Sequence, residues 1–167
     1  MRLLDPKFRT NKARYVAQCT LAAMVVFIVL MILHAIASAA VIAALGASSF
    51  IAFTMPHRMD CQPRYMLGGY AIGIATGTLF HFIALWTVWE NIPVVRDIAP
   101  MLFAAVAVGF AIFLMVLLNF EHPPAAGVAL GLAIGQCGLL AVTVVAVGII
   151  SLVAAKTLMR PWLMDLL

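Results

Sequence analysis

The chain reads as an all-α polytopic membrane protein of about six helical pieces, some short or broken, and three observations predict that class. Apolar residues make up 66% of its 167 residues and charged residues only 10%, with a mean hydropathy of +1.15; soluble domains run nearer half apolar and a quarter charged. The charges are also segregated: residues 16–55, 65–89, 98–120 and 122–155 contain no Lys, Arg, Asp or Glu. Each block is at least as long as the roughly 20 apolar residues that cross a bilayer. Finally, proline marks two polar breaks between blocks, Gln62-Pro63-Arg64 and His122-Pro123-Pro124.

Residues 1–15 carry Arg2, Lys7, Arg9, Lys12 and Arg14 ahead of the first apolar block. A cleavable signal has an apolar core of about 7–15 residues; the block here is much longer, so 1–15 is expected to be an uncleaved, basic, cytoplasmic segment. Block 16–55 is too long for one crossing at about 1.5 Å per residue. A turn at 34–38 divides it into a helix over 16–33 and another over 35–53, the second interrupted at Gly46-Ala47-Ser48-Ser49. A third helix is expected over 66–89, closing on the interfacial pair Trp86 and Trp89, and a fourth over 101–119.

The last block opens on Glu121-His122-Pro123-Pro124-Ala125-Ala126-Gly127. Proline lacks an N–H and clashes with the preceding turn, yet is favoured at a helix's first position. Pro123 and Pro124 therefore end one helix and start the next. The remainder suits a short helix over 124–136 followed by a longer one to 155. One transmembrane domain thus covers 16–155, and the tail 156–167 is expected at the interface with Trp162 as anchor.

Lys and Arg sort the ends. Arg58 and Arg64 flank the connection after the second helix and Lys156 and Arg160 open the tail, whereas the 90–100 connection holds only Arg96, beside Glu90 and Asp97. The positive-inside rule puts both termini in the cytoplasm, which requires an even number of crossings. The expected location is a bacterial inner membrane. Cys19, Cys61 and Cys137 are odd in number and lack metal-ligand spacing, so neither a disulfide framework nor a metal site is expected. The flanking cations account for the basic pI of 9.3, and no nucleic-acid partner is expected.

Two small-residue stripes recur at helical spacing: Gly69, Gly73 and Gly77, then Gly127, Gly131 and Gly135. Such stripes let membrane helices approach closely. They read first as packing seams, and second as marks of equivalent helices in two inverted three-helix halves, a common transporter design.

The His-Pro-Pro element, with Gly46-Ala47-Ser48-Ser49-Phe50 and Gln62-Pro63-Arg64 in the same order and spacing, resembles the HPP family of integral membrane proteins, over about residues 17–153. The resemblance implies a small bacterial or plastid-type membrane protein, and plastid members are associated with nitrite transport. The chain departs from the family pattern at Tyr65, at Tyr70 after Gly68-Gly69, and in Ala-Ala-Gly after the prolines.

The residues themselves suit an anion route. A helix N-terminus carries about half a positive charge and binds anions, so Pro123 and Pro124 would present backbone donors beside His122. A broken helix would bring that point to membrane depth. Ser48 and Ser49 add hydroxyls where Gly46 and Ala47 permit close approach. Gln62 and Arg64 would stand at the cytoplasmic mouth, Arg64 gripping a planar oxyanion, and Glu121 is a candidate proton partner of His122. The expected function is a transporter or channel for small monovalent anions, nitrite first, working without cofactor as a homo-oligomer in the lipid bilayer. The alternatives are a non-transporting scaffold or sensor, and a haem-bearing electron carrier using His34, His81 or His122. No nucleophile–base arrangement and no phosphate-cradling glycine loop followed by Lys points to an enzyme.

Overall fold

The computed structural model describes residues 6–32, 39–86, 93–135 and 137–166. They form six α-helices: α1 (Pro6–Ile32), α2 (Ala39–Thr54), α3 (Pro63–Trp86), α4 (Pro93–Leu117), α5 (Pro124–Ile134) and α6 (Leu139–Met159), with a 3-10 turn at Met59–Cys61 between α2 and α3. Within α3, α4 and α6 the stretches Pro63–Leu85, Ile98–Leu117 and Leu139–Met159 are long and apolar enough to cross a membrane; α2 and α5 are apolar but shorter. The protein is an all-α polytopic membrane protein, the class its composition predicts.

Hydrogen bonds fix which helix ends lie together. Gln18, midway along α1 where its apolar part begins, donates to the Phe53 carbonyl near the end of α2. Lys156 in the last turn of α6 donates to the Cys61 carbonyl of the turn before α3. The chain just before α5 meets the same turn through His122, and Phe120, just after α4, lies against Gly68 near the start of α3. Thus α1, α3 and α5 start, and α2, α4 and α6 finish, at one end of the bundle. We call it the basic end, since Arg14, Arg58, Arg64, Lys156 and Arg160 lie there. Among the described residues, the six helices therefore alternate in direction.

Helix α5 is the odd member. Eleven residues rise about 16 Å, roughly half a hydrocarbon core. Gly135, which caps α5, and Gly138, which caps the start of α6, are both extended (ψ −172° and 170°). The Cys137 thiol lies 3.5 Å from the Thr78 hydroxyl of α3, one residue beyond Gly77, which faces Ala129 and Leu132 of α5. The core is built chiefly by α2, α3, α5 and α6, with Val41, Phe53, Met66, Val128, Leu132 and Leu152 among its buried residues.

Several sequence expectations are corrected. The first helix starts at Pro6 rather than at residue 16, taking in most of the basic segment. Gly46-Ala47-Ser48-Ser49 does not interrupt α2, which is continuous through it: unpaired backbone groups are too costly in lipid. Helix α4 begins at Pro93 and carries Pro100 inside it, so its start precedes the expected residue 101. Helix α3 starts at Pro63; Trp89 and the turn at 34–38 lie outside the described residues. The division of the last block is as expected, a short helix and then a long one. After a turn, the tail runs back beneath α2, with Leu166 N–H on the Thr54 carbonyl at 2.8 Å and Leu163 and Leu166 buried. It forms a strap across the end of α2, with Trp162 exposed.

Candidate functional site

A buried hydrogen-bonded chain joins two helices, the connection before α5 and the 3-10 turn at the basic end. His122, 1% exposed, places Nδ1 2.8 Å from the Asp60 carbonyl oxygen and Nε2 2.8 Å from Ser48 Oγ. Ser48 Oγ is also 2.8 Å from the Tyr70 hydroxyl, and Ser48 and Tyr70 are fully buried. A carbonyl only accepts, so Nδ1 carries the proton. With a neutral imidazole, Nε2 accepts from Ser48 and Ser48 accepts from Tyr70. Burial holds the His122 pKa below its usual 6.5, outweighing the opposing pull of the Asp60 carbonyl, which agrees with that neutral arrangement. The Tyr70 ring lies 5.6 Å from the imidazole, tilted by 41°.

Local sequence sets this geometry. Helix α4 ends in a six-to-one bond from Phe120 N–H to the Met115 carbonyl (2.9 Å) and a bond from Asn119 N–H to Val116 (3.3 Å). Asn119 adopts a left-handed φ of 55°, a helix stop that asparagine tolerates. The chain then reverses, and Pro124 takes the first position of α5. Pro124 has no N–H, while the amides of Ala125 and Ala126 bond the His122 and Pro123 carbonyls. The donors expected at this helix start are therefore engaged in its own cap. The His-Pro-Pro turn also lies only about 9 Å inside the start of α3, opposite Gly69. At its other end α5 closes on Gly135.

The first glycine stripe creates the seam on which His122 rests. A Cβ on Gly69 would come within 2.7 Å of His122 Cβ, one on Gly73 within 2.5 Å of the Ala125 carbonyl oxygen, and one on Gly77 within 2.7 Å of the Ala129 carbonyl oxygen. The ascending register shows that α3 and α5 run parallel with backbones in contact. The two stripes therefore lie on parallel neighbours and are not counterparts in inverted halves. Gly127 faces α2, where a Cβ would stand 3.3 Å from Ala44 Cβ. Gly131 is buried inside α5, and Gly135 caps its end through the Gly131 carbonyl.

The other expected residues are dispersed. Ser49 is buried and, with Gly46, lines a groove between α1 and α2, while Ala47 is exposed. Arg64 is exposed, its guanidinium 5.3 Å from the Phe120 ring centroid and 5.8 Å from that of Tyr65. Gln62 lines a separate polar cavity. Glu121 is exposed and makes no hydrogen bond to the imidazole, whose two nitrogens are engaged elsewhere. It lines, with His122, Pro123 and Met115, a cavity of about 290 Å³. His81 approaches the Ala133 carbonyl at 3.3 Å, so His81 and His122 sit at opposite ends of the α3–α5 pair. His34 lies outside the described residues.

Sequence reasoning missed Tyr70, Gln18 and the buried Lys156. Tyr70 had a signal: a polar aromatic next to Gly69 in an otherwise apolar helix. Cys61, in the turn that supports His122, has its thiol pushed up to about 12 by burial, with the charge of Asp60 adding to the effect. It behaves as a small apolar residue.

Compared with known families, the chain matches the HPP transmembrane region over residues 8–162. No curated protein matches it, and no solved structure does.

Proposed function

For a chain that belongs to the HPP transmembrane family, we propose the function of a membrane transporter or channel for small monovalent anions, with nitrite as the leading substrate. The buried chain from Tyr70 through Ser48 and His122 to the Asp60 carbonyl carries this reading. Polar groups inside a membrane bundle are costly and by default mark a substrate or proton path. In this reading the basic end faces the cytoplasm, because Lys and Arg collect there, and Arg64 and Gln62 draw anions to the mouth by their charge and amide dipole.

The Ser48 and Tyr70 hydroxyls are the donors that an arriving anion would meet. A negative charge beside the imidazole offsets the burial that disfavours its cationic form, so His122 takes up a proton together with the anion. Since both imidazole nitrogens are engaged and the ring is buried, passage requires the 55–62 connection or α2 to move away from His122. The cavity shared by Glu121, His122 and Pro123 gives an approach from the α4 side. The homo-oligomer and inner-membrane location belong to the same proposal.

The test is anion flux in proteoliposomes at alkaline pH, where little membrane-permeant nitrous acid forms. Nitrite is compared with nitrate, formate and chloride, with and without a proton gradient. Nitrite-selective flux above empty vesicles is expected, and His122→Ala should strongly reduce it in folded, inserted protein. Lack of flux for every anion would overturn the transport reading. Unchanged flux in His122→Ala would make the buried chain a structural element.

A further inference from the structure

A second polar cavity lies at the basic end, of about 200 Å³, bounded by Pro56 and Pro63 and lined by His57, Gln62, Lys156, Thr157 and Arg160. It lies on the other side of the turn that holds His122. Of two consecutive carbonyls in that turn, Asp60 accepts from His122 and Cys61 accepts from Lys156. Lys156 is 3% exposed, and its bond to Cys61 engages one of three ammonium hydrogens.

No carboxylate lines the cavity, and the two nearby ones have other partners. Asp165 lies 3.3 Å from His57 Nδ1, and Asp60 takes two bonds of 3.1 Å from Arg58. Lys156 and Arg160 therefore bring positive charge to a cavity whose other polar side chains are Gln62, Thr157 and His57, the last held by Asp165. Asp60 and Asp165 attract Lys156 only at longer range, and a buried ammonium without a direct carboxylate partner is costly, so the cavity suits an anion. Its volume exceeds that of a single small planar ion, and its donors converge from α6 and from the connection. That arrangement fits a tetrahedral, several-oxygen group. Location points the same way: the apolar span of α6 ends at Met159 and Trp162 beyond it is 79% exposed, the level at which indoles meet headgroups. Basic pockets at such a boundary hold phosphorylated headgroups.

We propose that this cavity binds a phosphate group, provided either by an anionic phospholipid headgroup or by free phosphate. The inference stands apart from the transport reading, because its readout is equilibrium binding and not flux. The full chain, delipidated in detergent, is titrated with phosphatidylglycerol and phosphatidylcholine under native mass spectrometry, and separately with inorganic phosphate in a thermal-shift assay. Saturable binding of phosphatidylglycerol over phosphatidylcholine supports the site with a lipid source; saturable stabilisation by phosphate supports it with a soluble one. In either case Arg160→Gln, at an exposed position that leaves the core untouched, should weaken binding about tenfold, the loss of one charge-assisted bond. Lys156→Met should weaken it further if the variant remains monodisperse. Binding of neither probe, or binding unaltered by Arg160→Gln, would overturn the proposal.

Discussion

The α3–α5 seam and the α1–α2 groove are both walls of apolar helices containing glycine, yet they are built in opposite ways. At the seam a side chain on Gly73 would collide with a backbone carbonyl at 2.5 Å, whereas around Gly46 nothing lies within 4 Å. There an apolar space of about 510 Å³ separates Ala22 and Phe27 of α1 from Gly46 and Phe53 of α2. Lipid is as apolar as leucine, so close packing rather than burial holds membrane helices together. The seam is thus the fixed part of the bundle and the groove the adjustable one. Two members of the buried polar chain, Tyr70 and His122, belong to the fixed side. The third, Ser48, is carried by α2, whose other face lines the groove. A shift of α2 would therefore part Ser48 from His122 while leaving the seam intact.

The contrast can be broken most severely at Gly73. Gly73→Val should cost more than about 3 kcal/mol, since the colliding atom belongs to backbone and cannot swing away. The detergent-purified variant should melt far below the parent or fail to yield monodisperse protein; a parent-like melting temperature would mean that the helices are not in contact. Tyr70→Phe comes next, removing one buried hydroxyl from Ser48 at a cost of about 1–2 kcal/mol. Combined with Ser48→Ala, the two losses should fall short of their sum, because they share one bond.

Acidification probes the same chain as a slope. The His122 pKa is held below 6.5 in the folded protein, so the unfolded chain binds the proton first. Stability is complete above about 6.5 and declines as pH falls from there through the lowered value. Melting temperatures recorded over about pH 5–8 should show this decline, and His122→Gln should remove that share of it. An identical slope in the variant would assign it to other groups. The smallest effect is expected in the groove: Gly46→Ala should raise stability by up to about 1 kcal/mol through helix propensity alone, and a loss instead would mean that the groove is tighter than its lining implies.

The helical class, the division of the last block and the seam-forming glycines were legible in sequence because each rests on one-dimensional physics: hydropathy, proline chemistry and helical period. Gly46-Ala47-Ser48-Ser49 misled because its composition is that of a loop in water. At its place in the bundle α2 stays helical, and its hydroxyls point to neighbours or to the groove. Ser48 and His122 were named as candidates, but their direct bond and its extension to Tyr70 and Asp60 depend on register among four segments, which no local pattern encodes. Lys156 was read as a topology charge because the Cys61 carbonyl that receives it lies 95 residues away. Arg64, by contrast, is exposed, and the Tyr65 and Phe120 rings near its guanidinium were the unforeseen part.

The Gln18 amide has a consequence for biosynthesis. It donates to the Phe53 carbonyl at 2.9 Å and to the Met164 carbonyl at 3.0 Å, so the first helix is tied to the last strap across 146 residues. At ordinary elongation rates the interval between emergence of the two partners is on the order of ten seconds. During that time α1 is inserted with one of its amide hydrogens lacking its final acceptor, and the basic end stays open to water. Closure of that end is therefore a late step that waits for the strap, and a ribosome stalled before Met164 should leave α1 bonded to α2 through Phe53 but not yet tied to the strap.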